Sequence, residues 1–140
     1  MTQVDAAVLD TDVFSLLFLT RNSQDPRIPR WRGTLSGRRV MIAFQTRAEV
    51  LKGMLERGWG ASRVAATRRT LDDAPTIPPD DEVIDAYAEL TATCRQSGHA
   101  LRAGSHVADR WVAACEIAKN LRLLSGDGIY RDAPRLSLLN

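Results

Sequence analysis

The sequence predicts an α/β fold of three layers, with helices on both faces of a central, mainly parallel sheet. Short apolar runs at residues 6–9, 40–44 and 121–124 recur along the chain. Between them lie segments whose apolar residues repeat at helical spacing. Strands that alternate with helices in this way form parallel sheets covered on both sides. The length of 140 residues fits one domain, read over residues 1–140, and suffices to bury a core without staples.

Val8 and Leu9, after Ala6 and Ala7, read as a buried strand that stops at Asp10. Asp12 is placed to cap a helix carrying Phe14, Leu16, Leu17 and Leu19. Residues 21–38 hold Pro26, Pro29, Gly33 and Gly37 and read as a loop. Residues 40–44 form the second strand. Thr46 then opens a helix to about Glu56, closed by Gly58 and Gly60. A helix follows over 61–71. Prolines at 75, 78 and 79 allow only a very short strand between them. Asp80 or Asp81 starts a long helix with Val83, Ile84, Tyr87 and Leu90 on one face, ended by Gly98. Ser105 is placed to cap a helix presenting Val107, Trp111, Ala114, Cys115 and Ala118. Residues 121–124 are a strand, and 136–139 a candidate last one. Trp111 and Cys115 read as core.

Composition is that of a globular chain, 44% hydrophobic and 26% charged, which excludes a disordered tail or a coiled coil. The longest apolar stretch, residues 13–19, is far short of the ~20 residues of a membrane span. The first ten residues carry acids and no basic cluster, so no signal peptide is expected. Two cysteines, Cys94 and Cys115, make neither a disulfide framework nor a metal motif, and a reducing cytoplasm is the default. The net charge of +2 excludes a histone-like partner.

In open parallel sheets ligands bind beyond the carboxyl ends of the strands. Asp10 follows the first strand and Asp127 follows the strand at 121–124. Glu49 and Asp109 fall in the first turns of two helices. Each has a local explanation as well: Glu49 stands at capping-box spacing from Thr46, Asp127 lies in a Gly-Asp-Gly turn, and Asp109 complements a helix dipole. Asp10, ending a buried strand, is the hardest to explain locally. Jointly, four acids from four segments reach one edge of one sheet. Two carboxylates ~4 Å apart repel by roughly 4 kcal/mol at an effective dielectric near 20. Either protons or a cation must offset this. Oxygen ligands without clustered Cys or His favour Mg²⁺ or Mn²⁺, and such an ion suits phosphodiester hydrolysis.

Four blocks, in order, then carry a resemblance. They are Val8-Leu9-Asp10-Thr11-Asp12-Val13, Thr46-Arg47-Ala48-Glu49 with Gly53 following, Asp109-Arg110-Trp111-Val112-Ala113-Ala114, and Leu123-Leu124-Ser125-Gly126-Asp127. Over residues 6–139 the chain resembles a PIN-domain ribonuclease, and more narrowly a VapC-type toxin. The resemblance implies that Asp10, Glu49, Asp109 and Asp127 are the acidic, metal-binding and catalytic set. Asp10 and Asp109 would be the most direct ligands, with Glu49 and Asp127 acting directly or through water. Asp12, Thr46 and Ser125 would orient the set. It further implies an RNA substrate, a homodimer and a cognate antitoxin that blocks the site. Asp12 departs from the usual Asn or Ser, Trp111 and Val112 replace smaller or Ile-type residues, and the 21–38 segment is long.

All but two of the 19 basic residues are Arg, the residue suited to bidentate phosphate contact. Arg21, Arg27, Arg30, Arg32, Arg38 and Arg39 stand against a single acid, Asp25, and Trp31 lies among them. This segment is expected to contact RNA through Arg27, Arg30, Arg32, Arg38 and Arg39, with Trp31 stacking on a base; a solvated face is the alternative. Arg63, Arg68 and Arg69 form a second group. His106, three residues before Asp109, either faces the site or is an ordinary surface or core histidine. Trp59, between Gly58 and Gly60, reads as a contact for a second copy or the antitoxin, or as local packing.

Three rival readings remain. Asp10-Thr11-Asp12-Val13 and Gly126-Asp127 with Asp132 also fit a haloacid-dehalogenase-like phosphatase with Asp10 as nucleophile, but that needs a Lys at the active edge, and only Lys52 and Lys119 exist. A response-regulator receiver needs one too. The last is a catalytically silent PIN module that binds RNA or protein.

Overall fold

The computed structural model describes residues 5–139. The expectation of no signal peptide rests partly on residues 1–4, which lie outside the described residues. The elements are β1 (Ala6–Leu9), α1 (Thr11–Phe14) running into a π-helical turn (Ser15–Leu19), α2 (Ile28–Leu35), β2 (Arg39–Ala43), α3 (Phe44–Glu56), α4 (Ala61–Asp73), β3 (Thr76–Ile77), α5 (Asp81–Ser97), α6 (Val107–Ala118) and β4 (Arg122–Leu124). Short 3-10 turns at Ala100–Arg102, Gly104–His106 and Gly128–Tyr130 complete the path.

The strands form one parallel sheet in the order β3-β2-β1-β4. Successive side chains of a strand face opposite sides, and the sequence uses both. Ala7, Leu9, Ile42 and Leu124 pack with Val13, Phe14 and Leu71 on one side. Val8, Ala43, Ile77 and Leu123 pack with Leu90, Val112 and Cys115 on the other. Two apolar clusters on two faces make the three expected layers. The chain order reverses direction at β1, whose neighbours are β2 on one side and β4 on the other. The crevice beyond the carboxyl ends of β1 and β4 is therefore the topological switch point. No helix among the described residues is long and apolar enough to cross a membrane.

Several local expectations are corrected. Residues 28–35 are helical, not loop: Pro29 sits in the first turn, where its missing N–H costs nothing, and Ile28, Trp31 and Leu35 are buried along one stripe. Asp10, not Asp12, caps α1, accepting the Thr11 N–H at 2.9 Å. Helix α3 begins at Phe44, two residues before Thr46, so no capping box forms at Thr46 and Glu49. Ser105 lies inside a 3-10 turn, and α6 starts without a side-chain cap. Residues 136–139 do not form a named strand; Leu138 makes a parallel bridge to Leu123.

Candidate active site

Backbone geometry at the switch point sets the first carboxylate. The Asp10 N–H donates to the Leu124 carbonyl at 3.0 Å, which ties the end of β1 to the end of β4. The Asp10 side chain, only 7% exposed, is then gripped from two directions. Thr11 N–H donates to Oδ1, and Ser125 Oγ donates to Oδ2 at 2.8 Å. The Ser125 hydroxyl in turn accepts the Asp127 N–H at 3.0 Å. Burial pushes the Asp10 carboxyl up to about 6, against the opposing effect of its hydrogen bonds and aided by the charges of Asp109 and Asp12.

Asp109 arrives from the first turn of α6. Its Oδ2 lies 2.8 Å from His106 Nδ1, and its Oδ1 accepts from the Tyr130 hydroxyl at 3.3 Å. The same hydroxyl stands 3.5 Å from Asp10 Oδ1. Tyr130 thus bridges two carboxylates that are 99 positions apart in sequence. Its phenol is held above its ordinary value, chiefly by burial and then by the charges of Asp10 and Asp109, so it remains a donor. Next to Asp109, the buried Arg110 guanidinium donates to the carbonyls of Leu101 and Ala103 and to the Tyr87 hydroxyl. This pins the turns that lead into α6 and so aims its first turn.

Glu49 and Asp12 stand on the wall of a neighbouring cavity, with Thr11 and Arg27 also lining it. Glu49 accepts from Gln45 Nε2 at 3.2 Å. Buried Thr46 hydrogen-bonds the Thr11 hydroxyl at 3.0 Å, fastening the start of α3 to the start of α1. Asp127 is exposed and accepts the Ile129 N–H at 3.0 Å, so its turn role is real, while its charge is also felt at Tyr130. The four acids therefore stand differently. Asp10 and Asp109 meet across one hydroxyl, Asp127 is tied to Asp10 by its backbone N–H through Ser125, and Glu49 lines the neighbouring cavity with Asp12. Among the described residues no three His, Cys, Asp or Glu side chains enclose a metal site by themselves. The chemistry of the donor set nonetheless fits a hard cation. Two carboxylates that repel one another and meet at one hydroxyl match an ion that retains several waters and takes one or two carboxylates.

The arginine segment is corrected in part. Trp31 is 5% exposed and belongs to the core, so its indole offers no face to a base. Its edge packs on Gly126, where an added Cβ would lie 3.1 Å from the indole and 2.6 Å from Arg27 Nη1. The Arg27 guanidinium covers Trp31 at 4.8 Å and forms a bidentate pair with Asp25, whose carboxyl it holds down at about 2. Arg27 therefore belongs to the acidic edge. Arg38 and Arg39 do not: Arg39 pairs in register with Ala6, and Arg38 forms an ion pair with Asp5 at 2.9 Å. Both sit at the amino end of the sheet, roughly 13 Å from the Asp10 edge at ~3.3 Å per strand residue. Arg30 and Arg32 are exposed on α2. The sequence pattern did not reveal Tyr130, whose segment shows no periodicity, or the structural part of Arg110, which stands there only as a member of the Asp109 block.

Comparison with known proteins agrees with this architecture. Residues 7–136 match the family model of the PIN domain. A curated relative, ribonuclease VapC5 of Mycobacterium tuberculosis (strain ATCC 25618 / H37Rv), is 29% identical over 124 residues, covering 87% of this chain and 83% of that protein. The solved structure of VapBC-5 from M. tuberculosis, a member of the VapBC family of toxin–antitoxin systems, is similar with a TM-score of 0.63 and 26% identity, over 96% of this chain and 98% of that one. VapBC2 from Rickettsia felis, bound to a promoter DNA fragment, shares the fold at a TM-score of 0.74 and 18% identity, over 95% and 96% of the two chains.

Proposed function

Since the chain belongs to the PIN-domain family, we propose that it is a divalent-metal-dependent ribonuclease acting as the toxin of a VapBC-type toxin–antitoxin pair. The observation that carries this reading is the meeting of Asp10 and Asp109 across Tyr130 at the switch point of the sheet. The relatives named as a ribonuclease and as toxin–antitoxin complexes support the substrate class and the antitoxin partner. Nucleases of this family generally use divalent metal ions, and we take Mg²⁺ or Mn²⁺ as the ion here.

Asp10 and Asp109 would hold the ion, with Glu49 and Asp127 as the further carboxylates of the set. A bound divalent ion supplies Lewis acidity to the phosphodiester and its attacking water. Ser125 and Thr11 fix the Asp10 carboxylate, and His106 and Tyr130 fix that of Asp109. Thr46 locks the first turns of α1 and α3 together, and Asp12 extends the acidic wall. Arg27, anchored by Asp25, brings a cation to the mouth of the cleft, where a substrate phosphate needs one. Arg30 and Arg32 extend the positive surface. The protein acts as one domain in the cytoplasm, as a homodimer blocked by its antitoxin.

The phosphatase reading loses ground on one observation. The Lys119 ammonium is held by Asp80 at 2.7 Å and Glu82 at 3.4 Å, and Lys52 pairs with Glu56, so neither lysine serves Asp10. The test is mapping of new RNA 5′ ends after brief expression of the wild type and of Asp10→Asn. Internal cuts made by the wild type and absent from the variant support the reading; identical patterns reject it.

A further inference from the structure

The cavity beside the acidic edge has a volume of about 480 Å³, and besides Asp12 and Glu49 it is lined by residues of a different chemistry: Arg57, Trp59 and Arg63. The turn that carries Trp59 is built, not loose. Gly58 adopts φ +64°, its N–H donates to Leu55 at 3.2 Å, and the Trp59 N–H reaches back to Met54 at 3.3 Å. The Arg63 guanidinium lies 3.5 Å from the indole centroid, and that of Arg57 lies 5.9 Å away. Among the described residues neither arginine has a carboxylate within ion-pair distance; Glu56, their neighbour in sequence, pairs with Lys52. Helix α4 begins at this wall with neither an acid nor a side-chain cap in its first turn. Arg63 thus adds a cation to the end of a helix whose dipole is already positive there, an arrangement that an anionic ligand relieves.

Positive charge from three sources, a flat aromatic plate and a cavity that also holds Glu49 and Asp12 match one ligand class. We propose that Arg57, Trp59 and Arg63 bind a nucleotide of single-stranded RNA flanking the scissile phosphate, the guanidinium groups taking its phosphate and the indole–guanidinium stack taking its base. This rests on the ribonuclease reading and adds to it the element that sets base preference. An acidic peptide would use the charge but has no group for the aromatic plate, whereas every nucleobase presents a face for stacking.

The test is fluorescence anisotropy of labelled short single-stranded RNAs of differing base composition, with the full chain, its Arg63→Gln, Trp59→Leu, Trp59→Phe and Arg30→Gln variants, and melting curves to confirm folding. Arg63→Gln and Trp59→Leu are expected to weaken binding about tenfold and to level the preference among bases. Trp59→Phe is expected to restore most of that preference, and Arg63→Gln to reduce the salt slope by about 0.7. Arg30→Gln is expected to weaken all RNAs alike. Wild-type affinity and preference in Arg63→Gln and Trp59→Leu overturn the proposal. So does a glutamate-rich peptide that binds the wild type and loses affinity in both variants while RNA does not. Cleavage by the wild type is scored in the same reactions: its absence strikes the ribonuclease reading, while RNA binding insensitive to these variants strikes this one.

Discussion

At the scale of single residues, Asp10 is costly to the fold and central to the proposed chemistry. Its carboxyl is raised to about 6 from an ordinary 3.8, mainly by burial. A carboxyl with a raised folded value binds its proton more readily in the native state than in the unfolded chain. Its contribution to stability is thus full below pH ~4 and is lost as pH rises through about 6. In metal-free buffer at pH 8, Asp10→Asn should therefore melt higher than the wild type, by the equivalent of about 1–3 kcal/mol, while losing RNA cleavage. Calorimetric melting with a cleavage assay checks both. Tyr130→Phe removes the shared hydroxyl and leaves the ring packed; Mn²⁺ affinity should fall about tenfold in a titration, with little change in melting temperature. Glu116 is a second buried carboxyl, 1% exposed, with Oε1 accepting the Ser137 N–H and Oε2 without a partner among the described residues. Burial raises it to about 8. Its contribution is present below pH ~4.5 and is lost as pH climbs to about 8, so Glu116→Gln should flatten the fall in melting temperature across that window. An unchanged slope would mean that the side chain reaches water.

At the scale of elements, α2 separates packing from binding. Trp31 lies in the core under Arg27, so Trp31→Ala should destabilise the protein by about 3–5 kcal/mol in denaturant titrations. Loss of RNA affinity with full stability would contradict that assignment. This helix also shows why part of the fold was hidden. Its prolines and arginines resemble a loop, and its stripe of Ile28, Trp31 and Leu35 is too short to stand out. The strands were legible because each is a brief apolar run, and three of the four acids announced themselves as polar residues ending or interrupting apolar ones. Helix α5 was legible at both ends, from the Asp80 side chain that accepts the Val83 N–H and from Gly98 in the left-handed region. Tyr130 was not, because its position depends on how a non-repetitive segment closes over α6. The reach of the arginine segment was not either: adjacency in sequence does not reveal that β2 carries Arg39 to the far end of the sheet.

At the scale of the molecule, the parallel sheet places the ends of β1 and β4 side by side, and α6 brings Asp109 to the same edge. The Asp10 side chain is the hub, since it touches a residue from β4's loop, lies by Tyr130 and carries the repulsion of Asp109. The most direct measurement is cleavage of end-labelled single-stranded RNA by the purified chain in Mn²⁺, compared with Asp10→Asn, Asp109→Asn and a chelator. The account predicts internal cuts with Mn²⁺ and none under the other three conditions. Cutting that persists in either variant, or in the presence of the chelator, would contradict it.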